Sequence, residues 1–309
     1  MRTRAALFTF AAAVAAVAGC GGGSGHARQS QTHSSIFAYD RSAPLGLRDL
    51  GRINHNYPIA IRDISYASPR GGRVKGYLIV PPGKRRHPAV IYMHGSGGTR
   101  LDFVVPGSWM AARGAVALTI DSPLVRSRLG AARGRAGLIQ NRNLTAQSVV
   151  ELRRAVDLLQ SLPQVDPNRI AYVGYSAGAR VGGLLAGIEH RIKAFDLLSG
   201  GAVPPSDYAK AAPRSLQPDI LRLLGQVDPL RYVRRAAPSV LFFQDGRRDR
   251  VVPRAALENL SRAGSAPKII RWYDSGHDLP KQAYRDQLRW LSRELGLDGP
   301  IVRGALTGP

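Results

Sequence analysis

Cysteine is almost absent. Cys20 is the one such residue in 309, so no disulfide can form within the chain. Acidic side chains are scarce too: 21 Asp and Glu stand against 44 Lys and Arg, for a formal net charge of +23. A surplus of that size can draw a protein toward anionic lipid or polymer. The arginines are nevertheless scattered, no basic run is interleaved with aromatics, and no nucleic-acid-binding module is recognisable, so no nucleic-acid partner is expected. No group of His, Cys and carboxylate residues has metal-ligand spacing, and no cofactor is expected. No segment repeats. With 44% hydrophobic and 21% charged residues, a buried core is well supplied and global disorder is excluded. The length suits one large α/β domain or two small ones.

The one cysteine sits in an informative place. Arg2 and Arg4 precede an apolar run from Ala5 to Ala18, the pattern of a secretory signal. The run is shorter than the roughly twenty residues that cross a bilayer. Its end, Val17-Ala18-Gly19-Cys20, resembles the bacterial lipoprotein lipobox. That resemblance implies cleavage before Cys20 and lipid attachment to its sulfur. The alternative is ordinary secretion with cleavage after Ala18. Residues 1–19 are thus expected to be a signal peptide and 20–36 a lipid-attachment site and tether. The membrane is then a partner, and the location is the extracytoplasmic side of a bacterial envelope. Gly21 to Ser35, rich in Gly, Ser, His and Gln, cannot build a core. As a flexible chain it spans about 20 Å.

From Ile59 onward strand-like and helix-like stretches alternate. Ile59 to Tyr66 and Val74 to Val80 read as antiparallel strands around a Pro-Arg-Gly-Gly turn. Ala89 to Met93 is a short apolar run opening into His94-Gly95-Ser96-Gly97-Gly98. Strands are also predicted at 115–120, 170–173, 192–198, 239–243 and 268–273. Helices are predicted near 101–113 and at 144–162, from the 176–178 turn, and at 281–295. The alternation implies right-handed crossovers and an α/β fold: a mostly parallel sheet of about eight strands covered by helices on both faces. The α/β domain is expected over 37–298, with 299–309 as a tail. Residues 202–237 break the rhythm with Pro204, Pro205, Pro213 and Pro218 and a helix-like stretch at 220–224, and could form a small cap.

Gly174-Tyr175-Ser176-Ala177-Gly178 matches the G-x-S-x-G turn, in which a serine is held on a sharp strand-to-helix bend. Small residues follow at Ala179, Gly182, Gly183 and Ala186, letting the next helix lie close to the sheet. A serine hydroxyl needs a base to act as a nucleophile at neutral pH. His26 and His33 fall in the tether, His55 and His87 in surface-like polar segments, and His190 after the helix that follows Ser176. His277, in Asp274-Ser275-Gly276-His277-Asp278, comes directly after the last predicted strand. Loops at the carboxyl ends of parallel strands converge on one crevice, so His277 is the predicted base. The base needs a carboxylate to fix its tautomer. Asp249, out on a loop, is preferred to Asp245 at the strand end, while Asp274 and Asp278 are expected to cap or solvate the turn. Backbone N–H groups of Ala177 and Ser96, with Gly97 as the rival of Ser96, are the expected donors to a developing oxyanion.

Together these motifs resemble the α/β-hydrolase superfamily across roughly residues 59–295. The stretch running from Asp228-Pro229-Leu230 through Ala237-Pro238 and 249–253 to Trp272-Tyr273-Asp274-Ser275-Gly276-His277 is most similar to the dienelactone-hydrolase and acetyl-xylan-esterase-like branch. The catalytic domain of prolyl oligopeptidases is similar as well. The resemblance implies a serine hydrolase acting on a small-molecule carboxylic ester, with Ser176, Asp249 and His277 as its catalytic residues. Peptide cleavage is the runner-up. A hydrolase-derived protein that only binds envelope polymer is the reading from another class.

Overall fold

The computed structural model describes residues 36–53, 57, 59–123 and 132–297. The expected signal peptide, Cys20, nearly all of the tether and the tail from 299 lie outside the described residues.

Runs of Val, Ile, Leu and aromatic side chains form the centre of a nine-stranded sheet in the order β1-β2-β3-β5-β4-β6-β7-β8-β9. The strands are β1 Arg48–Arg52, β2 Ile61–Ala67, β3 Arg73–Ile79, β4 His87–Met93, β5 Val116–Ile120, β6 Val165–Tyr175, β7 Ile192–Leu198, β8 Val240–Gly246 and β9 Lys268–Tyr273. The first three pair antiparallel, β3 joins β5 antiparallel, and β5 through β9 are parallel. After β4 the chain steps one way to β5, then returns to the other side of β4 as β6. That reversal opens a crevice beyond the carboxyl ends of β4 and β6, where ligands bind in open α/β sheets.

Every residue of β4 and β5 is buried, as expected of strands covered on both faces. On one face Ile91, Met93, Tyr172, Phe195 and Phe243 pack against α2 (Gly134–Ser161), α3 (Ala177–Ala186) and α7 (Arg254–Ala263). On the other, Val90, Tyr92, Val173 and Phe242 pack against α1 (Val104–Ala112) and α8 (Lys281–Glu294). In α2, Val149, Leu152, Val156 and Leu159 are fully buried at helical spacing, as the sequence predicts. Truncating one such leucine to alanine costs about 2–5 kcal/mol.

The prolines that break the rhythm between 202 and 237 start helices rather than prevent them. Pro205, Pro218 and Pro229 lie in the first turns of α4 (Pro205–Lys210), α5 (Gln217–Gly225) and α6 (Pro229–Val233). Proline suits that position because its missing N–H would have no helical acceptor there. α5 lies on α4 and α2, and α6 on α3 and α7.

Several expectations need correction: α2 begins at Gly134 rather than at 144, and β6 spans Val165–Tyr175 rather than 170–173. β1, Arg-Asp-Leu-Gly-Arg, is an edge strand that the sequence reading passes over, because its polar residues carry no apolar alternation. His87 is no surface residue: β4 begins two residues earlier than its apolar run, pairing with Val165. His87 is buried there, with Nδ1 2.9 Å from the Gly114 carbonyl.

Candidate active site

β6 delivers the chain to Ser176, whose backbone sits at φ 53° and ψ −111°. This left-handed conformation is strained for a residue with a side chain. It turns the strand abruptly into α3 and lifts the hydroxyl above the sheet. Both glycines of the motif are sterically required. A Cβ on Gly174 would sit 2.5 Å from the Gly178 backbone, and one on Gly178 would collide with the Met93 carbonyl oxygen. The bend is fixed by Ser176 N–H donating to the Leu198 carbonyl at 2.8 Å.

The loops after β8 and β9 bring the two remaining side chains to this point. His277 Nε2 lies 3.0 Å from Ser176 Oγ, and its Nδ1 lies 2.8 Å from Asp249 Oδ2. The carboxylate holds Nδ1–H as the donor, which leaves Nε2 to accept from the serine hydroxyl. The other oxygen of Asp249 accepts from the N–H groups of Val251 and Val252 at 2.8 and 2.9 Å. Burial alone would raise the pKa of this carboxyl. The hydrogen bonds from His277 and the two backbone groups outweigh it, and Asp249 is held below the ordinary carboxylate value. Arg247 N–H to the Tyr273 carbonyl (2.8 Å) and Arg248 N–H to the Ser275 carbonyl (2.9 Å) tie the two loops together.

Asp245, the rival acid, closes β8 with its carboxyl buried and neither oxygen hydrogen-bonded. Burial first, and the charge of Asp249 second, push its pKa up to about 8, against a smaller opposing effect of Arg254. It makes no contact with His277 that could orient the ring. Asp274 pairs with Arg248 at the surface. Asp278 has a firmer partner, Tyr175.

Three supporting residues escape the sequence reading. The Tyr175 ring packs 5.1 Å from the His277 ring, and its hydroxyl donates to Asp278 Oδ1 at 2.7 Å. Ser199, also at positive φ, donates its hydroxyl to the His277 carbonyl at 2.8 Å. His94 is buried after β4. Its Nε2 accepts from Ser122 N–H at 3.0 Å, which leaves Nδ1–H to donate to the Gly95 carbonyl at 2.7 Å. Only the glycine motif around His94 gives any sequence signal for this pin. The other two act through partners that are distant in sequence.

The glycine loop closes on the serine. Met93 is in register with Gly174, and a Cβ on Gly95 would lie 3.1 Å from Ser176 Cβ. The N–H groups of Ser96 and Gly97 engage no acceptor among the described residues. Ala177 N–H opens α3 and has no carbonyl four residues back within the helix. His190 is exposed; His26, His33 and His55 lie outside the described residues. Among the described residues no three His, Cys, Asp or Glu side chains could together hold a metal ion.

A serine whose proton can pass to an oriented imidazole, beside free backbone donors, can carry out acyl transfer. Comparison with known proteins finds esterases. The family model for FrsA-like esterases matches residues 45–204. The esterase FrsA of Enterobacter sp. (strain 638) is 30% identical over 139 residues, which are 44% of this chain and 31% of that relative. The chain thus matches under a third of the relative's length. An acetyl xylan esterase from Paenibacillus sp. R4 superposes with a TM-score of 0.67 at 22% identity, covering 81% of this chain and 89% of that one. Acetyl xylan esterase 1 from Thermoanaerobacterium sp. JW/SL YS485 gives a TM-score of 0.68 at 17% identity, over 84% and 91% of the two chains. The fold is that of the α/β-hydrolases.

Proposed function

The chain belongs to the FrsA-like esterase family, whose model matches residues 45–204, and from that premise we propose that it is a serine esterase cleaving small carboxylic esters through an acyl-enzyme on Ser176. The observation that supports this most is the unbroken relay from Ser176 Oγ through the His277 ring to Asp249, with links of 3.0 and 2.8 Å.

In the first step Ser176 Oγ attacks the ester carbonyl while His277 Nε2 takes its proton. The negative oxygen of the tetrahedral intermediate is met by the N–H groups of Ala177 and Ser96. The imidazolium, steadied by Asp249, returns its proton to the leaving alkoxide, and the alcohol departs. Water then attacks the acyl-serine, His277 again takes the proton, and the carboxylic acid leaves as Ser176 recovers its hydrogen. One ester and one water give one acid and one alcohol.

The same proposal places the enzyme at the outer side of a bacterial envelope membrane, held by lipid on Cys20. The lipobox-like Val17-Ala18-Gly19-Cys20 supports this. Metabolic labelling with a tagged fatty acid tests the anchor: the full chain should take up label and Cys20→Ser should not. Turnover of 4-nitrophenyl acetate tests the activity. The wild type should hydrolyse it and Ser176→Ala should not, whereas equal turnover by both would remove Ser176 from the mechanism.

A further inference from the structure

Behind the loop that carries Asp249 lies a chamber of about 210 Å³ that the mechanism above leaves unused, lined in part by Val251, Val252 and Pro253. It is lined by Arg180 in the first turns of α3, Val203 and Val227 from segment 202–237, Val252 and Pro253 from the acid loop, and Asp228. The chamber and the reacting centre share structure. Arg180 N–H donates to the Ser176 carbonyl at 3.0 Å, so the two residues occupy successive turns of one helix face. Val252, a wall of the chamber, holds Asp249 through its N–H. The chamber thus borders the segments that carry Ser176 and Asp249, although neither Ser176 nor His277 lines it.

Arg180 is unlike the other inward-facing arginines. Arg100, Arg153, Arg154 and Arg191 each reach a carboxylate within ion-pair distance. Arg180, a half-buried residue, makes no side-chain hydrogen bond and no ion pair within 4 Å among the described residues. Withdrawing a guanidinium from water without a partner is costly, and such a group is usually matched. Asp228 does not supply the match. Its carboxylate caps α6 by accepting from Leu230 N–H at 3.0 Å, and three arginines, 180, 231 and 234, bear on it electrostatically. Arg180, Arg231 and Arg234 thus outnumber the one carboxylate they surround, and the rest of the chamber's lining is mostly apolar.

We infer that Arg180 is a specificity residue that binds an anionic group on one arm of the substrate, so that the preferred esters carry a carboxylate or similar anion a few bonds from the scissile carbonyl. The inference rests on the esterase reading for the position of that carbonyl. Apolar walls suit the short methylene spacer, and the guanidinium fork suits a planar carboxylate. The net charge of +23 acts in the same direction, since a positive protein raises the encounter rate with anions at low ionic strength.

The test compares mono-4-nitrophenyl glutarate with neutral 4-nitrophenyl pentanoate, using the full chain and its Arg180→Met and Arg180→Lys variants. The wild type should show a kcat/KM for the glutarate about tenfold or more above that for the pentanoate, the scale of one charge-assisted hydrogen bond. Arg180→Met should bring the ratio to one or below, and Arg180→Lys should keep part of it. A wild-type ratio near one, or a preference that survives Arg180→Met, overturns the inference while leaving the esterase reading intact. If the wild type cleaves neither ester, the esterase reading fails and thermal shift with glutarate decides. An Arg180-dependent rise in Tm upholds the anion site, and no rise overturns it.

Discussion

Tyr175 and Asp278 are joined by a hydrogen bond of 2.7 Å that links the residue before the strained serine to the residue after the histidine. The bond spans the two loops that must stay in register for Ser176 and His277 to meet. Burial first, and the bond to Asp278 next, hold the tyrosine pKa far above its ordinary value, so this hydroxyl remains a donor throughout the working pH range. Tyr175→Phe removes the donor and keeps the ring against His277. We expect kcat on a 4-nitrophenyl ester to fall by about 2- to 10-fold, the net scale of one hydrogen bond to a solvent-exposed carboxylate, with a small change in Tm. Unchanged kcat would mean that the loop is held without it.

The two aspartates near the end of β8 should separate cleanly. Asp249→Asn reverses the hydrogen bond that fixes the imidazole tautomer, and turnover should drop on the order of 10³-fold or more. Asp245→Asn touches nothing on His277 and should leave turnover near the wild-type level. The reverse result in a paired assay would reassign the acid.

Asp245 also sets a pH dependence of stability. Its carboxyl keeps a proton to about pH 8 in the folded chain, whereas in the unfolded chain it ionises near the ordinary value of 3.8. Between those limits the folded state binds more protons, so this residue's contribution to stability falls as pH rises. Asp249 works the other way: its lowered pKa gives a stabilisation that is lost as pH falls through the acid range. Asp245→Asn should therefore raise Tm over the wild type at pH 8 and differ little from it at pH 4. Thermal scans across that range check the sign, and a gain that shrinks with rising pH would contradict it.

The elbow glycines are required sterically. Gly178→Ala drives a methyl group into the Met93 carbonyl at the end of β4. The neighbouring strand is buried on both faces and has little room to yield, so a loss of about 1–3 kcal/mol is expected in denaturant unfolding. Turnover should fall as well, because the same shift moves the glycine loop.

The parallel strands and the serine bend were readable because each carries a local rule. Ile192–Leu198 and Lys268–Tyr273 have the bounds that the apolar runs predict. The motif glycines announce a turn that nothing larger could make. His277 and Asp249 were reachable from chain order and from the convergence of loops at the carboxyl edge of a parallel sheet. What was hidden depends on contacts between distant segments. His87 is buried because β4 extends through it to pair with Val165, although three basic residues precede it. β1 forms by pairing with β2 rather than by any pattern of its own. Ser199 and Tyr175 matter only through the His277 loop, about 80 and 100 residues away.

Intact-mass spectrometry after exposure to a fluorophosphonate tests the central claim most directly. The account predicts one adduct per chain, mapping to the peptide that holds Ser176 and missing from a folded Ser176→Ala variant. An unmodified wild type, or an adduct that persists when Ser176 is alanine, would contradict it.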